Sequence, residues 1–253
     1  MNVPGVYLKL ALFTIVTVTL APFYFFILLV LFQWRRHIGP RLLQFYSCIC
    51  LSIFRVRAEV KNERAFAKRK GGVLIISNHS CFLDIFILSS MFGSVFVSKA
   101  EVKYYPIIGQ IAWLAGVVFF DRTSARERTR VLRKIAYNYW DRILAVFPQG
   151  TTGSISDRLP FNRGIFKVTE LNQDITLLPV TLRYEHDDEV SWSRPQTLKE
   201  NAMKVSARKE IRVKVVVHDP VSIVDYRGKT TPQICEMVER MVLEPLQKAY
   251  RET

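Results

Sequence analysis

The chain has 253 residues, 49% of them apolar and 12% aromatic, with a formal net charge of +14 at pH 7. That composition excludes a disordered or low-complexity chain and suffices for one sizeable domain plus an appendage. The charge favours an anionic partner, whether nucleic acid, an acidic membrane surface or a phosphorylated substrate. The four cysteines, Cys48, Cys50, Cys81 and Cys235, form no C-x-x-C pair and have no partnering histidines. Neither a zinc site nor a disulfide scaffold is expected; they read as small apolar residues of a reducing compartment.

From Leu10 to Phe32 no residue is charged, and a run of roughly 23 residues is enough to cross a bilayer. Trp34, Arg35, Arg36, His37 and Arg41 follow, an aromatic and basic collar of the kind found at a membrane–water interface. The run is too long, and its leading basic region too weak, for a cleaved signal peptide. By the positive-inside rule the C-terminal side faces the cytoplasm. A second apolar stretch, Leu42 to Val56, is too short to span and is bracketed by Arg41, Arg55 and Arg57. It suits a helix in the interface or one packed on the first as a hairpin. Pro22 leaves two arrangements open, a true span and two helices entering one leaflet. Residues 1–57 are therefore expected to anchor the chain to a membrane, with residues 58–253 as a domain on the cytoplasmic side.

After residue 57 short branched runs alternate with amphipathic ones. Val73 to Ser77, introduced by Gly71-Gly72, reads as a buried strand, as do Val95 to Ser98, Val117 to Phe120, Ile143 to Phe147, Ile175 to Leu182 and Ile211 to Val217. Thr123 to Asp141 reads as a helix with Val131, Leu132, Ile135, Tyr139 and Trp140 on one face and basic residues opposite. The last helix is expected to have Thr231 as its cap, Pro232 in its first turn, and Ile234, Val238, Met241 and Val242 as its core stripe. The pattern predicts an α/β fold: a mixed, largely parallel sheet flanked by helices, preceded by the helical hairpin.

His79 falls just past the first of these strands, where open α/β sheets bind ligands, and Asp84 follows five positions later. If a helix opens at Ser80 or Cys81, Asp84 lies about one turn inside it and its carboxylate reaches one imidazole nitrogen. The other nitrogen is then free to accept a proton from a hydroxyl. The spacing equally suits a histidine capping a helix with an aspartate in its first turn. The spacing alone does not separate the two.

His79 to Asp84 resembles the H-x-x-x-x-D box of the glycerolipid acyltransferase family, the PlsC-like 1-acylglycerol-3-phosphate acyltransferases. Further blocks match in the family's order. Lys99-Ala100-Glu101, Pro106-Ile107-Ile108-Gly109 and Gly116 to Arg122 resemble its second block; Phe147-Pro148-Gln149-Gly150-Thr151-Thr152 resembles F-P-E-G-T, with Leu159 to Gly164 downstream; Leu178-Pro179-Val180 is similar to the last. The resemblance implies transfer of a fatty acyl group to the free hydroxyl of lysophosphatidic acid, with His79 as general base oriented by Asp84. The donor it implies is an acyl-CoA or acyl carrier protein thioester, with no bound cofactor and no metal. The implied partners are the phospholipid membrane, the lysophospholipid acceptor and that donor; no nucleic-acid motif accompanies the charge. Arg122 is assigned to the acceptor's phosphate, with Lys99 as a second cation; Gln149, Gly150, Thr151 and Thr152 are substrate-binding candidates. Oxyanion donors are expected from Lys99 or from backbone amides after His79. A covalent route through Cys81 is the minor alternative.

This chain departs from the pattern at Gln149, where the family usually has Glu, and at Thr152, where Arg is frequent. Glutamine keeps an acceptor oxygen, adds donors and loses the charge. On that ground Gln149→Glu is expected to raise turnover or shift acceptor preference. The same departures keep open a sister acyltransferase acting on another lysolipid. A lipid-binding scaffold or a hydrolase is the reading from a different class.

Overall fold

A computed structural model of the chain describes residues 3–68, 72–105, 108–121, 123–138 and 142–251. Helices α1 (Val3–Val30) and α2 (Arg35–Phe54) form the hairpin. Along α1 the buried residues include Thr17, Ala21, Tyr24 and Leu28, a single stripe at helical spacing, while Leu8, Ile15, Phe23, Phe26 and Leu29 on its other faces are exposed. The stripe meets α2 through the Thr17 and Tyr46 hydroxyls, 2.6 Å apart, and through the Phe13 and Phe54 rings, whose centroids are 5.6 Å apart. That much uncovered apolar surface on one helix suits contact with a lipid layer.

Behind the hairpin lies a seven-stranded sheet of β1 (Val56–Lys61), β2 (Val73–Ser77), β3 (Val95–Lys99), β4 (Val118–Phe120), β5 (Ile143–Val146), β6 (Thr176–Tyr184) and β7 (Ile211–Val217), in the order β1-β7-β6-β2-β5-β3-β4. Only β6 and β7 pair antiparallel; the other neighbours are parallel, so the sheet is mixed and largely parallel. Every residue of β2 is buried, as a central strand covered on both faces requires. Helices α3 (Leu83–Phe92), α4 (Ile108–Ala115), α5 (Ala125–Asn138), α6 (Val168–Leu171), α7 (Asp187–Val190), α8 (Leu198–Ser206), α9 (Ile223–Tyr226) and α10 (Thr231–Arg251) complete the fold.

Four details differ from the expectations. Strand β1 was not expected: its Arg57, Glu59 and Lys61 give it no apolar run, and parallel pairing with β7 makes the strand. It starts at Val56, so hairpin and sheet are joined without a linker. Helix α3 opens at Leu83 rather than at Ser80 or Cys81, because the amides of both residues turn to the Asp84 carboxylate instead of into a helix. The cap of α10 is Thr230 rather than Thr231: the Gln233 side chain accepts from the Thr230 amide at 2.8 Å and from its hydroxyl at 3.0 Å. Helix α5 begins at Ala125 rather than Thr123; Tyr139, Trp140 and Asp141 lie outside the described residues, as do Gly71, Pro106 and Ile107.

Candidate active site

The site is built where β2 ends. Asn78 closes the strand by imitating a peptide group: its side-chain amide donates to the Leu182 carbonyl, and its oxygen accepts from the Leu182 amide, both at 2.8 Å. The ladder to β6 is thereby extended by one side chain, and the chain is released to turn at His79.

Asp84, in the first turn of α3 and wholly buried, collects the groups around it. Its Oδ2 accepts from Ser80 N at 2.6 Å and Cys81 N at 2.9 Å, and lies 2.7 Å from His79 Nδ1. Its Oδ1 accepts from the Tyr184 hydroxyl at 2.6 Å. The imidazole meets the carboxylate as the first reading of the spacing requires, whereas His79 does not cap the helix: the residue ahead of α3 is Phe82, with no side-chain cap, and it is Asp84 that secures the amides there. With a carboxylate oxygen accepting at Nδ1, the ring proton sits there and the Nε2 lone pair is left free. Among the described residues nothing hydrogen-bonds to Nε2, and the side chain keeps 17% of its surface open to solvent. The ring lies flat on Phe147, 4.0 Å between centroids at 11°, with Phe96 stacked behind at 6.1 Å.

Cys81 is buried, and its thiol is held well above the ordinary range by that burial and then by the Asp84 charge. A buried protonated thiol is a poor nucleophile.

Gln149 sits under His79 and lines the cleft beside it. Its Oε1 accepts from the His79 amide at 2.6 Å, and its Nε2 donates to the Leu159 carbonyl at 3.3 Å. The His79 carbonyl in turn accepts from Gly153 N at 3.0 Å. Both backbone groups of His79 are thus tied to the loop after β5. Gly150 turns that loop with φ +75°, a left-handed conformation suited to glycine. Thr151 and Thr152 follow half-buried, with no hydrogen bond to their hydroxyls among the described residues. Lys99 ends β3 and is exposed, on the same carboxyl edge of the sheet but two strands from β2. Arg122 lies outside the described residues.

Beyond the expected residues, Tyr184 and Phe147 touch the His79–Asp84 pair, and a cleft beside His79 is lined by Gln149, Ser154, Arg158, Leu243 and Gln247. Tyr184 comes from a strand 100 residues from Asp84, so no local spacing announces it. Arg158 stands in a left-handed conformation, φ +46°, with no sequence signal beyond its place between two blocks.

Comparison with known proteins agrees with this frame. The family model described as Acyltransferase matches residues 57–183. A 1-acyl-sn-glycerol-3-phosphate acyltransferase from Neisseria gonorrhoeae is 31% identical over 133 residues, 52% of each chain. The yeast Saccharomyces cerevisiae protein of the same name is 34% identical over 130 residues, 49% of this chain and 42% of its own. The chain thus spans about half the length of these relatives. A lyso-ornithine lipid O-acyltransferase from Rhodobacter capsulatus is 30% identical over 209 residues, covering 76% of this chain and 72% of its own. The crystal structure of the 1-acyl-sn-glycerophosphate (LPA) acyltransferase PlsC from Thermotoga maritima superposes with TM-score 0.77 at 15% identity, over 98% of this chain and 96% of that one, a likeness of fold. With the family model across half its length and a relative aligned over most of both chains, this chain belongs to the acyltransferase family.

Proposed function

We propose that the chain transfers a fatty acyl group from an acyl-CoA or acyl carrier protein thioester to the free hydroxyl of lysophosphatidic acid, giving phosphatidic acid. The observation that carries this is the oriented imidazole: His79 Nδ1 is held at 2.7 Å by a buried carboxylate, and nothing among the described residues hydrogen-bonds to Nε2. In this reading Nε2 takes the hydroxyl proton as the acceptor oxygen attacks the thioester carbonyl. The tetrahedral oxyanion collapses, the carbon–sulfur bond breaks, and the imidazolium returns the proton to the leaving thiolate. Lys99, at the carboxyl edge of the sheet, and Arg122, by its match to the family's second block, are assigned to the acceptor's phosphate, and the loop of Gly150, Thr151 and Thr152 to anionic groups of the substrates. No nucleophilic side chain, metal or bound cofactor is needed.

Residues 1–57 act as the anchor and residues 58–253 as the catalytic domain, with the domain on the cytoplasmic face. The anchor is read as entering one leaflet rather than spanning. Near its start α1 is held by Lys9, whose ammonium donates to the Arg208 carbonyl at 2.5 Å, and just beyond its end Arg35 stacks on Trp113 of α4. Both ends therefore rest on one domain, which cannot occupy both sides of a bilayer.

A second acceptor is favoured by one finding: the lyso-ornithine lipid O-acyltransferase aligns over more of this chain than the Neisseria protein does. Membranes carrying the full chain, given labelled acyl thioester and a panel of lysolipids, separate the readings. Product from lysophosphatidic acid supports the first and product from lyso-ornithine lipid alone the second. Release of free fatty acid alone rejects both. His79→Ala should lose turnover by about 10³-fold while staying membrane-bound; full activity in that variant sinks the mechanism.

A further inference from the structure

The cleft beside His79 holds one charge that the proton-transfer pair does not use. Of the residues lining it only Arg158 is a fixed cation, and no carboxylate lines it. Arg158 is exposed, and among the described residues its guanidinium has neither an ion pair nor a hydrogen bond. The carboxylates that hold this loop are committed elsewhere. Asp157 Oδ2 accepts from Ser154 N at 2.8 Å and from the Ser193 hydroxyl at 2.7 Å. Asp187 Oδ2, from α7, accepts from Ile155 N at 2.8 Å.

The backbone around Arg158 is also held in place. Ahead of it Gly153 N donates to the His79 carbonyl at 3.0 Å, and behind it the Leu159 carbonyl accepts from Gln149 Nε2 at 3.3 Å. Arg158 itself is left-handed, φ +46°, a conformation that suits Gly, Asn and Asp and is rare for arginine. The shape of the turn gives no reason for an arginine there. Lys99, by contrast, ends β3, two strands from β2. At the usual strand spacing that is about 10 Å to the side, and Lys99 does not line the cleft.

An uncompensated guanidinium in the same cleft as a proton-accepting imidazole suits an anionic group carried by the molecule that brings the hydroxyl. In lysophosphatidic acid the phosphate is only a few bonds from that hydroxyl. The phosphate of an acyl-CoA or acyl carrier protein donor stands at the far end of the pantetheine arm, remote from the reacting carbonyl. We propose that Arg158 binds the acceptor's phosphate and selects an anionic acceptor, with Lys99 reaching the same group from β3. The guanidinium donates to two phosphate oxygens, while Leu243 and Leu246 of α10, which line the same cleft, give the glycerol an apolar wall. The proposal rests on the lysophosphatidic acid reading above and adds to it a residue that discriminates among acceptors.

The test measures initial rates of the full chain in detergent micelles for the parent, Arg158→Asn and Arg158→Lys, varying lysophosphatidic acid and acyl-CoA in turn. Asparagine suits the left-handed turn, so Arg158→Asn should melt no lower than the parent. It should raise KM for lysophosphatidic acid about 10- to 100-fold, the worth of charge-assisted hydrogen bonds to phosphate. Its kcat and its KM for acyl-CoA should stay within about 2-fold of the parent, the pattern of acceptor binding lost equally in ground and transition states. Arg158→Lys keeps the charge without the paired donors and should fall between the two. An unchanged KM for lysophosphatidic acid in Arg158→Asn overturns the site. A rise in KM for acyl-CoA in its place also overturns it, since the anion is then the donor's. So does a lower kcat with both KM values unchanged, which leaves Arg158 as a support for the His79 loop. The acceptor reading is tested by the parent alone: no product from lysophosphatidic acid rejects that reading, and the site with it, before any variant is compared.

Discussion

At the scale of single residues, the site is a set of hydrogen bonds converging on one carboxylate. Asp84 accepts from two amides, an imidazole and a phenol, and the phenol is the member whose role is least obvious. Tyr184 is buried, and its hydroxyl is kept protonated by that burial and by the Asp84 charge, so it stays a donor. Its hydrogen bond disperses charge that would otherwise act on the imidazole. Tyr184→Phe is therefore expected to lower kcat about 10-fold, the worth of one hydrogen bond to a charged group, with KM unchanged. A variant that loses thermal stability but keeps the parent's kcat shows Tyr184 to be merely structural.

Gln149 illustrates how far this residue scale was legible in the sequence. The departure from Glu was visible, and it suggested a change at the acceptor. The structure spends both ends of the amide on backbone, at His79 and Leu159, so the expected effect moves from acceptor choice to the placement of His79. Gln149→Glu keeps an acceptor for the His79 amide and sets a carboxylate oxygen against the Leu159 carbonyl. It should lower the melting temperature, by about 1–3 kcal/mol of stability, with turnover and acceptor preference within a few-fold of the parent. Gln149→Ala removes both bonds and should lower kcat as well. A marked gain in turnover in Gln149→Glu would restore the original expectation.

At the scale of elements, what was legible followed from how strongly a segment's own pattern demands its structure. The buried run Val73–Ser77 and the branched run Ile211–Val217, buried at every other residue, are apolar enough to name themselves. Strand β1 is not, because alternating charges on an edge strand look like a loop until the partner is known. The start of α3 was misplaced because Ser80 and Cys81 have the residue types of a helix start, while the Asp84 carboxylate draws their amides back. The close seat of α2 on α4 was equally silent. At Gly39 an added Cβ would come 2.9 Å from the Ala115 Cα, a backbone atom that cannot swing aside. Gly39→Val should therefore push α2 off α4 and cost about 1–3 kcal/mol, read as a lower melting temperature in detergent. Unchanged melting would mean the two helices part at no cost.

At the scale of the whole molecule, hydropathy identified α1 but not its path. A run that is uncharged from Leu10 to Phe32 satisfies the length criterion for spanning equally well whether it crosses a bilayer or lies in one leaflet. What distinguishes the two is tertiary: the Lys9 contact to Arg208 at one end and the Arg35–Trp113 contact at the other tie both ends to one domain. A consequence is accessibility from a single side. In sealed vesicles oriented with the catalytic domain outward, an N-terminal tag and a cysteine at Gln33→Cys should both react with membrane-impermeant reagents added outside. The experiment belongs in a Cys48→Ser background, since Cys48 is the exposed native thiol. If α1 spans instead, the tag lies in the lumen and reacts only after the vesicles are opened. In that case the contacts at Lys9 and Arg35 cannot both persist in the membrane, and the catalytic end would be held by α2 alone.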